Sequence, residues 1–202
     1  MKNRGLFISF EGPEASGKSS QIILLKKYFK SKQIPFIITR EPGGTKLGEK
    51  LRNLILNNKS NLNNIEEIFL LMAARSNHIN EVIIPNLKKG NIVVTDRFAD
   101  STFVYQGFVN KFGISKVKKL HYDLLGNFLP NKTFVFELEI KEIIKKIKIR
   151  KNKNKYDKID KEFHKSVILG YNKIYNSKRF IKINASLDKI KIHKKIINSL
   201  DI

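Results

Sequence analysis

The chain has 202 residues, 41% of them hydrophobic, with a formal net charge of +22 at pH 7 and no cysteine. That is enough apolar chain to close one substantial core, so a single domain over 1–202 is expected. The missing cysteine excludes disulfide staples, thiolate metal sites and cysteine nucleophiles. No apolar run is long enough to cross a bilayer, and Met1 to Gly5 leads directly into a short apolar stretch with no cleavage site, so a cytoplasmic protein without a membrane partner is expected.

A charge of this size also fits a nucleic-acid or anionic-membrane partner, because clustered cations release counterions from phosphates. The lysines are dispersed, however, in pairs such as Lys26-Lys27, Lys88-Lys89, Lys145-Lys146 and Lys194-Lys195, each within a segment of helical apolar periodicity. Solvated helix faces account for them, and no stable nucleic-acid partner is expected.

In chain order, Leu6 to Phe10 is an apolar run that ends in a glycine-rich turn, and Ile22, Ile23, Leu25 and Phe29 follow at helical spacing. Further apolar runs fall at Pro35 to Thr39, Asn91 to Thr95, Thr133 to Leu138 and Phe180 to Ile183, with helical stretches between them. Strands alternating with helices predict an α/β fold, a five-stranded parallel sheet covered on both faces. Ligands then bind beyond the carboxyl ends of the strands. The segment Lys148 to Lys161, dense in Lys, Asn and Asp, is a poor core former; it is either disordered or a short basic lid over a phosphate site.

Between the first strand and helix lies Gly12-Pro13-Glu14-Ala15-Ser16-Gly17-Lys18-Ser19, which has the spacing of a phosphate-binding loop. Glycines let successive N–H groups turn inward on phosphate oxygens, and the helix N-terminus adds partial positive charge. Lys18 is expected to bridge the β and γ phosphates, and Ser19 to offer a hydroxyl to Mg2+. Asn154-Lys155-Tyr156-Asp157 matches the guanine-reading pattern of GTPases but does not follow a strand, and Asp96 is followed by Arg97, Phe98 and Ala99 instead of an Asp-x-x-Gly motif. The match is taken as accidental.

Asp96-Arg97 closes the run Ile92 to Thr95, which sets a carboxylate and a guanidinium beside the phosphate loop. The carboxylate suits Mg2+ or its waters, and Arg97 suits bidentate capture of a second phosphate. Arg40, ahead of Glu41-Pro42-Gly43-Gly44-Thr45, adds another cation at a sharp turn. Two arginines facing a triphosphate site point to an anionic acceptor.

These residues carry a resemblance. Thr39 to Thr45, Asp96-Arg97-Phe98-Ala99-Asp100-Ser101 and Tyr105-Gln106-Gly107 resemble bacterial thymidylate kinases, in register from the phosphate loop to about Tyr175. The resemblance implies a compact nucleoside monophosphate kinase fold, a homodimer, ATP with Mg2+ as donor system and dTMP as acceptor. By position, it implies that Arg40 and Arg97 bind the dTMP phosphate, that Asp96 is the acidic partner in the catalytic region, and that Glu14 contacts the sugar 3′-hydroxyl. Arg75 then bonds the thymine edge, while Ser101, Tyr105 and Gln106 line base and sugar, Tyr105 excluding a 2′-hydroxyl. His78 receives no role.

The chain departs from the family pattern in two places that bear on the site. Where the family carries a phenylalanine that stacks on thymine, the candidates are Leu71 and Met72, which can still cover a ring face. In the lid, lysines stand where arginines are expected, leaving Lys153 or Arg150 to supply the catalytic cation. Downstream, Phe163-His164 and Gly170-Tyr171 also match, but Ile168 and Leu169 replace the usual arginine and no function is assigned there.

Overall fold

The computed structural model describes residues 5–57, 59–151, 155–175 and 177–202. Among the described residues, five strands form one sheet: β1 (Phe7–Glu11), β2 (Phe36–Arg40), β3 (Ile92–Asp96), β4 (Lys132–Glu137) and β5 (Phe180–Asn184). Every pairing is parallel and the order is β2-β3-β1-β4-β5. The sequence expectation was right in number and direction, and the strand ends differ by about a residue.

Strand periodicity divides the core into two layers. Phe7, Val93 and Val135 face one side, where α3 (Asn64–His78), α6 (Ile114–Leu125) and α8 (Lys161–Ile174) pack with the turns of 99–109. Ile8, Phe10, Val94, Phe134 and Phe136 face the other, against α1 (Lys18–Ser31), α7 (Ile140–Ile149) and α9 (Lys189–Asn198). Both faces being buried explains why these strands read as continuous apolar runs. Leu25 of α1 is wholly buried against this second face. Leu25→Ala is expected to lower stability by about 3 kcal/mol through lost burial and a residual cavity; urea unfolding should show a lower midpoint at unchanged slope, and an unchanged midpoint would contradict this packing.

The long apolar segment after Ile65 is interrupted helix. α3 opens on a capping box, with Asn63 and Glu66 each bonded to the other's backbone N–H. It passes through a wider turn at Ile79–Ile83, where Ile84 N–H reaches back to Ile79, into the short α4 (Ile84–Lys88). Pro85 has no N–H for a regular helical bond, and the widened turn precedes it.

The strand order reverses direction of growth at β3 and β1, the position at which open α/β sheets bind ligands. In register, Phe10 and Arg40 both lie opposite Asp96. The phosphate loop after β1, the turn after β2 and Asp96-Arg97 after β3 therefore meet at one edge of the sheet.

Candidate active site

The loop after β1 is bent by residues that only its sequence allows. Gly12 has φ +131°, and a Cβ there would lie 2.6 Å from the Phe136 carbonyl oxygen; Gly17 at φ +95° caps α1. Lys18 folds back over the loop, its ammonium 2.7 Å from the Pro13 carbonyl, 3.1 Å from that of Gly12 and 3.2 Å from Ser16 Oγ. Burial, then the positive charge of Arg97, pulls its pKa down to about 8, with Asp96 and Glu14 opposing. Ser19 donates its hydroxyl to Asp96 Oδ2 at 3.1 Å. Residues Glu14 to Ser19 line a cleft of about 630 Å³, and Arg40, Arg52, Asp96, Arg97, Lys146 and Arg150 also border it.

A second, largely apolar recess opens from this cleft between Leu71, Arg75, Phe98, Ser101, Tyr105 and Gln106. Glu14, Glu41, Arg97 and Tyr156 border both spaces. Met72 does not: it packs in the core with Ile68 and Ile79, its sulfur 3.9 Å from Arg75 Nη1. Leu71 lies one helical turn before Arg75 and shares its face toward the recess, whereas Met72, about 100° further round, turns inward. Of the two residues expected beside a base, the fold leaves Leu71.

Arg97 stands at the junction. Its backbone has φ +72°, a strained conformation for a non-glycine residue, held by what its side chain meets. Nη1 donates to the Gly12 carbonyl at 3.0 Å, Ser101 Oγ at 3.0 Å and the Tyr171 hydroxyl at 3.2 Å; Nη2 donates to Glu14 at 3.0 Å. Burial disfavours its charge, but Tyr105, Glu14 and Tyr171 reverse the balance and hold it well above the usual arginine value. Glu14 also accepts from the Tyr105 hydroxyl, at 2.8 and 2.7 Å to its two oxygens. Burial would raise its pKa, but Arg97 and Lys18 outweigh burial and bring it below the usual range. His164 Nδ1 lies 3.9 Å from Glu14.

Arg75 is fully buried, with Nε on Glu41 at 2.8 Å and Nη2 on Thr102 at 2.7 Å, and it lies over the Phe98 ring. Glu41 in turn meets His78 Nδ1 at 2.9 Å, and His78 Nε2 meets Thr39 Oγ1 at 2.7 Å. A carboxylate only accepts, so Nδ1 carries the proton. His78 is a satisfied helix residue behind Arg75. Arg40 is half exposed and doubly bonded to Glu49, at 3.2 Å from Nε and 2.8 Å from Nη2.

In the basic segment, Arg150 borders the cleft and donates to buried Asp157 at 3.0 Å. Asp157, the acidic end of the guanine-reading match, is thus engaged by an arginine. Lys153 lies outside the described residues. Lys146 of α7, expected from the sequence on a solvated helix face, borders the cleft.

Sequence reasoning also passed over Glu11. It ends β1, fully buried, and accepts from the Phe98 N–H at 2.7 Å, Ser101 Oγ at 2.6 Å and the Tyr171 hydroxyl at 3.0 Å. The signal was present as an acid closing an otherwise apolar strand. Burial, followed by the Asp100 charge, raises its pKa from 4.5 to about 7. The folded pKa exceeds the unfolded one, so ionisation costs nothing below about 4.5, and its penalty grows as pH rises and is complete above about 7. Glu11→Gln is therefore expected to gain Tm relative to the wild type between pH 5 and pH 8; a difference in Tm that does not change with pH would contradict the raised value.

Comparison with known proteins places the chain in a family. The family model described as Thymidylate kinase matches residues 10–196. A curated thymidylate kinase of Rickettsia bellii (strain OSU 85-389) is 40% identical over 98% of this chain and 97% of its own. One from Thermoanaerobacter sp. (strain X514) is 36% identical over 96% and 97% respectively. The crystal structure of thymidylate kinase from Ehrlichia chaffeensis superposes with a TM-score of 0.77 at 30% identity, covering 98% of this chain and 99% of that one. Family match, near full-length relatives and shared fold all agree: the chain belongs to the thymidylate kinase family.

Proposed function

We propose that this chain catalyses the phosphorylation of dTMP to dTDP with Mg-ATP as phosphoryl donor, acting as one kinase domain with residues 148–161 as lid. The observation that supports it best is the pair of joined spaces, a cationic cleft on the phosphate loop and an apolar recess, meeting at Arg97. The loop N–H groups and Lys18 hold the donor phosphates. Arg97 and Arg40 grip the acceptor phosphate, and Glu14 and Tyr105 meet its sugar. Arg75, Leu71, Ser101 and Gln106 surround the base.

The Ser19 hydroxyl and Asp96 carboxylate, 3.1 Å apart at the mouth of the loop, are hard oxygen donors of the kind Mg2+ accepts, and that ion keeps most of its waters. Held there, the ion would neutralise charge developing on the donor phosphates. The acceptor oxygen is already anionic, so Asp96 orients and a strong general base is unnecessary. Lys18 and a lid cation, Arg150 or Lys153, spread charge on the transferring group.

The homodimer expected from the resemblance is supported by the exposed apolar side chains Ile65 and Phe69 of α3 and Leu124 of α6; light scattering on the purified chain should give twice the monomer mass. No helix among the described residues is long and apolar enough to cross a membrane, in keeping with a cytoplasmic enzyme acting on nucleotides. ADP release with Mg-ATP and dTMP, dUMP, UMP, AMP, GMP or CMP offered singly tests the acceptor. Strong preference for dTMP is expected. Preference for another monophosphate would reject dTMP, and acceptor-independent or nucleic-acid-stimulated hydrolysis would reject the kinase reading.

A further inference from the structure

Glu67 lies on α3 beneath the recess, its side chain 6% exposed, and receives three donors from two other parts of the fold. Oε1 accepts the Gln106 amide at 2.7 Å and the Tyr156 hydroxyl, and Oε2 accepts the Lys155 ammonium at 2.6 Å. Gln106 borders the recess, within the wide helical turn Phe103–Val109. Lys155 and Tyr156 belong to the basic segment, and Tyr156 borders both spaces. The phosphoryl-transfer roles above leave Glu67 unused.

A carboxylate accepts and cannot donate, so the Gln106 amide must turn its NH2 toward Glu67. The second hydrogen of the same nitrogen points to the Tyr156 hydroxyl at 3.5 Å, so the carbonyl oxygen is what Gln106 has left to offer the recess. A pyrimidine-2,4-dione carries an N3–H donor between two carbonyls, whereas cytosine carries a bare N3 acceptor beside an amino group. A fixed acceptor pairs with the first and opposes the second. The same carboxylate ties down the basic segment: burial, and then the Glu67 charge, hold the Tyr156 phenol well above its usual pKa, which favours the protonated, donating form. Tyr156 is further held edge-on to Tyr105, at 5.2 Å between centroids, and stacked on Phe163.

We propose that Glu67 is a specificity-determining positioning residue, which fixes the Gln106 amide to accept from the N3–H of the base and anchors Lys155 and Tyr156 of the lid on that same residue. This rests on the dTMP reading above. Base recognition and lid attachment thereby share one buried carboxylate, and a base that disturbs Gln106 also disturbs the lid anchor.

The test compares dTMP with dCMP as acceptor, together with acceptor-free ATP hydrolysis and Tm, for the wild type, Glu67→Gln, Glu67→Asp and Lys155→Met. In Glu67→Gln the neighbouring amide lets Gln106 turn either way. The dTMP to dCMP ratio of kcat/KM is expected to fall by about 10-fold or more, with KM for dTMP rising more than kcat falls. Lys155→Met removes only the lid arm: acceptor-free hydrolysis is expected to rise several-fold while the ratio stays within about twofold. Glu67→Asp, which keeps the charge on a shorter stem, should give a smaller loss of selectivity and decides the point if Glu67→Gln does not fold. An unchanged ratio in a folded Glu67 variant overturns the proposal, as does an equal loss of selectivity in Lys155→Met, which would mean general loosening. A wild type that does not prefer dTMP overturns the acceptor reading itself, a result distinct from an unchanged ratio in an active enzyme.

Discussion

Lys18→Ala is expected to reduce kcat by on the order of 10³-fold, the scale seen when a charge-neutralising group is removed from a phosphoryl-transfer site. Phosphoryl transfer offers a protein little covalent work, so positioning and neutralisation carry the rate. Lys18 is buried and already organised by Gly12, Pro13 and Ser16, with no long chain to order at the moment of reaction. Fold stability should change far less than rate, because removing this buried ammonium also removes its desolvation cost. Rapid-quench or coupled ADP assays measure the first and thermal unfolding the second. A loss below tenfold in kcat would remove Lys18 from transition-state stabilisation.

Arg97→Ala is expected to damage both activity and stability. Glu14 is almost fully buried, and Arg97 is the guanidinium it is paired with, at 3.0 Å. Removing one partner of such a pair leaves an uncompensated carboxylate and costs about 3 kcal/mol. On the role proposed above, activity with dTMP should fall by about 10²- to 10³-fold through loss of a fork-shaped donor for the acceptor phosphate. Arg97→Lys should recover more stability than activity, because it restores the charge but not the fork.

The pH dependence separates these effects. In the wild type, Arg97 and Lys18 hold Glu14 below its usual pKa, so its contribution is present above about 4.5 and lost as pH falls through the lower folded value. In Arg97→Ala the largest charge opposing burial is lost, so the folded pKa of Glu14 rises and its contribution above about 4.5 is diminished. The gap in Tm between wild type and Arg97→Ala should therefore be widest near pH 8 and narrow below about pH 4.5; a constant gap would mean that Glu14 does not depend on Arg97.

Much of this organisation could be read before folding was considered. The loop Gly12 to Ser19 has a spacing that works only on a strand-to-helix turn, and the apolar runs beside it supplied that context. Asp96-Arg97 was legible because a charged pair ending an apolar run stands at a strand's carboxyl end, and the register opposite Phe10 and Arg40 puts it beside the loop. The residues behind these were not legible. Glu41 and Thr102 reach Arg75 from 34 and 27 positions away, and Lys155 reaches Glu67 from 88. Such pairs leave no periodicity in a single sequence. Leu71 and Met72 were equivalent as letters, and only the rotation of α3 on the sheet separated them.

The sequence by itself determined the fold class, the phosphate loop and the family, because periodicity and short-range spacing encode strand, turn and helix within a few residues. The tertiary structure alone decided which side chains share a charge. The Arg97 junction, the buried acid Glu11 and the three-donor carboxylate Glu67 each arise where remote segments are brought together in a water-poor interior. There, an ionised group persists only if distant partners satisfy it, and those partners become neighbours only after the sheet has closed its two cores.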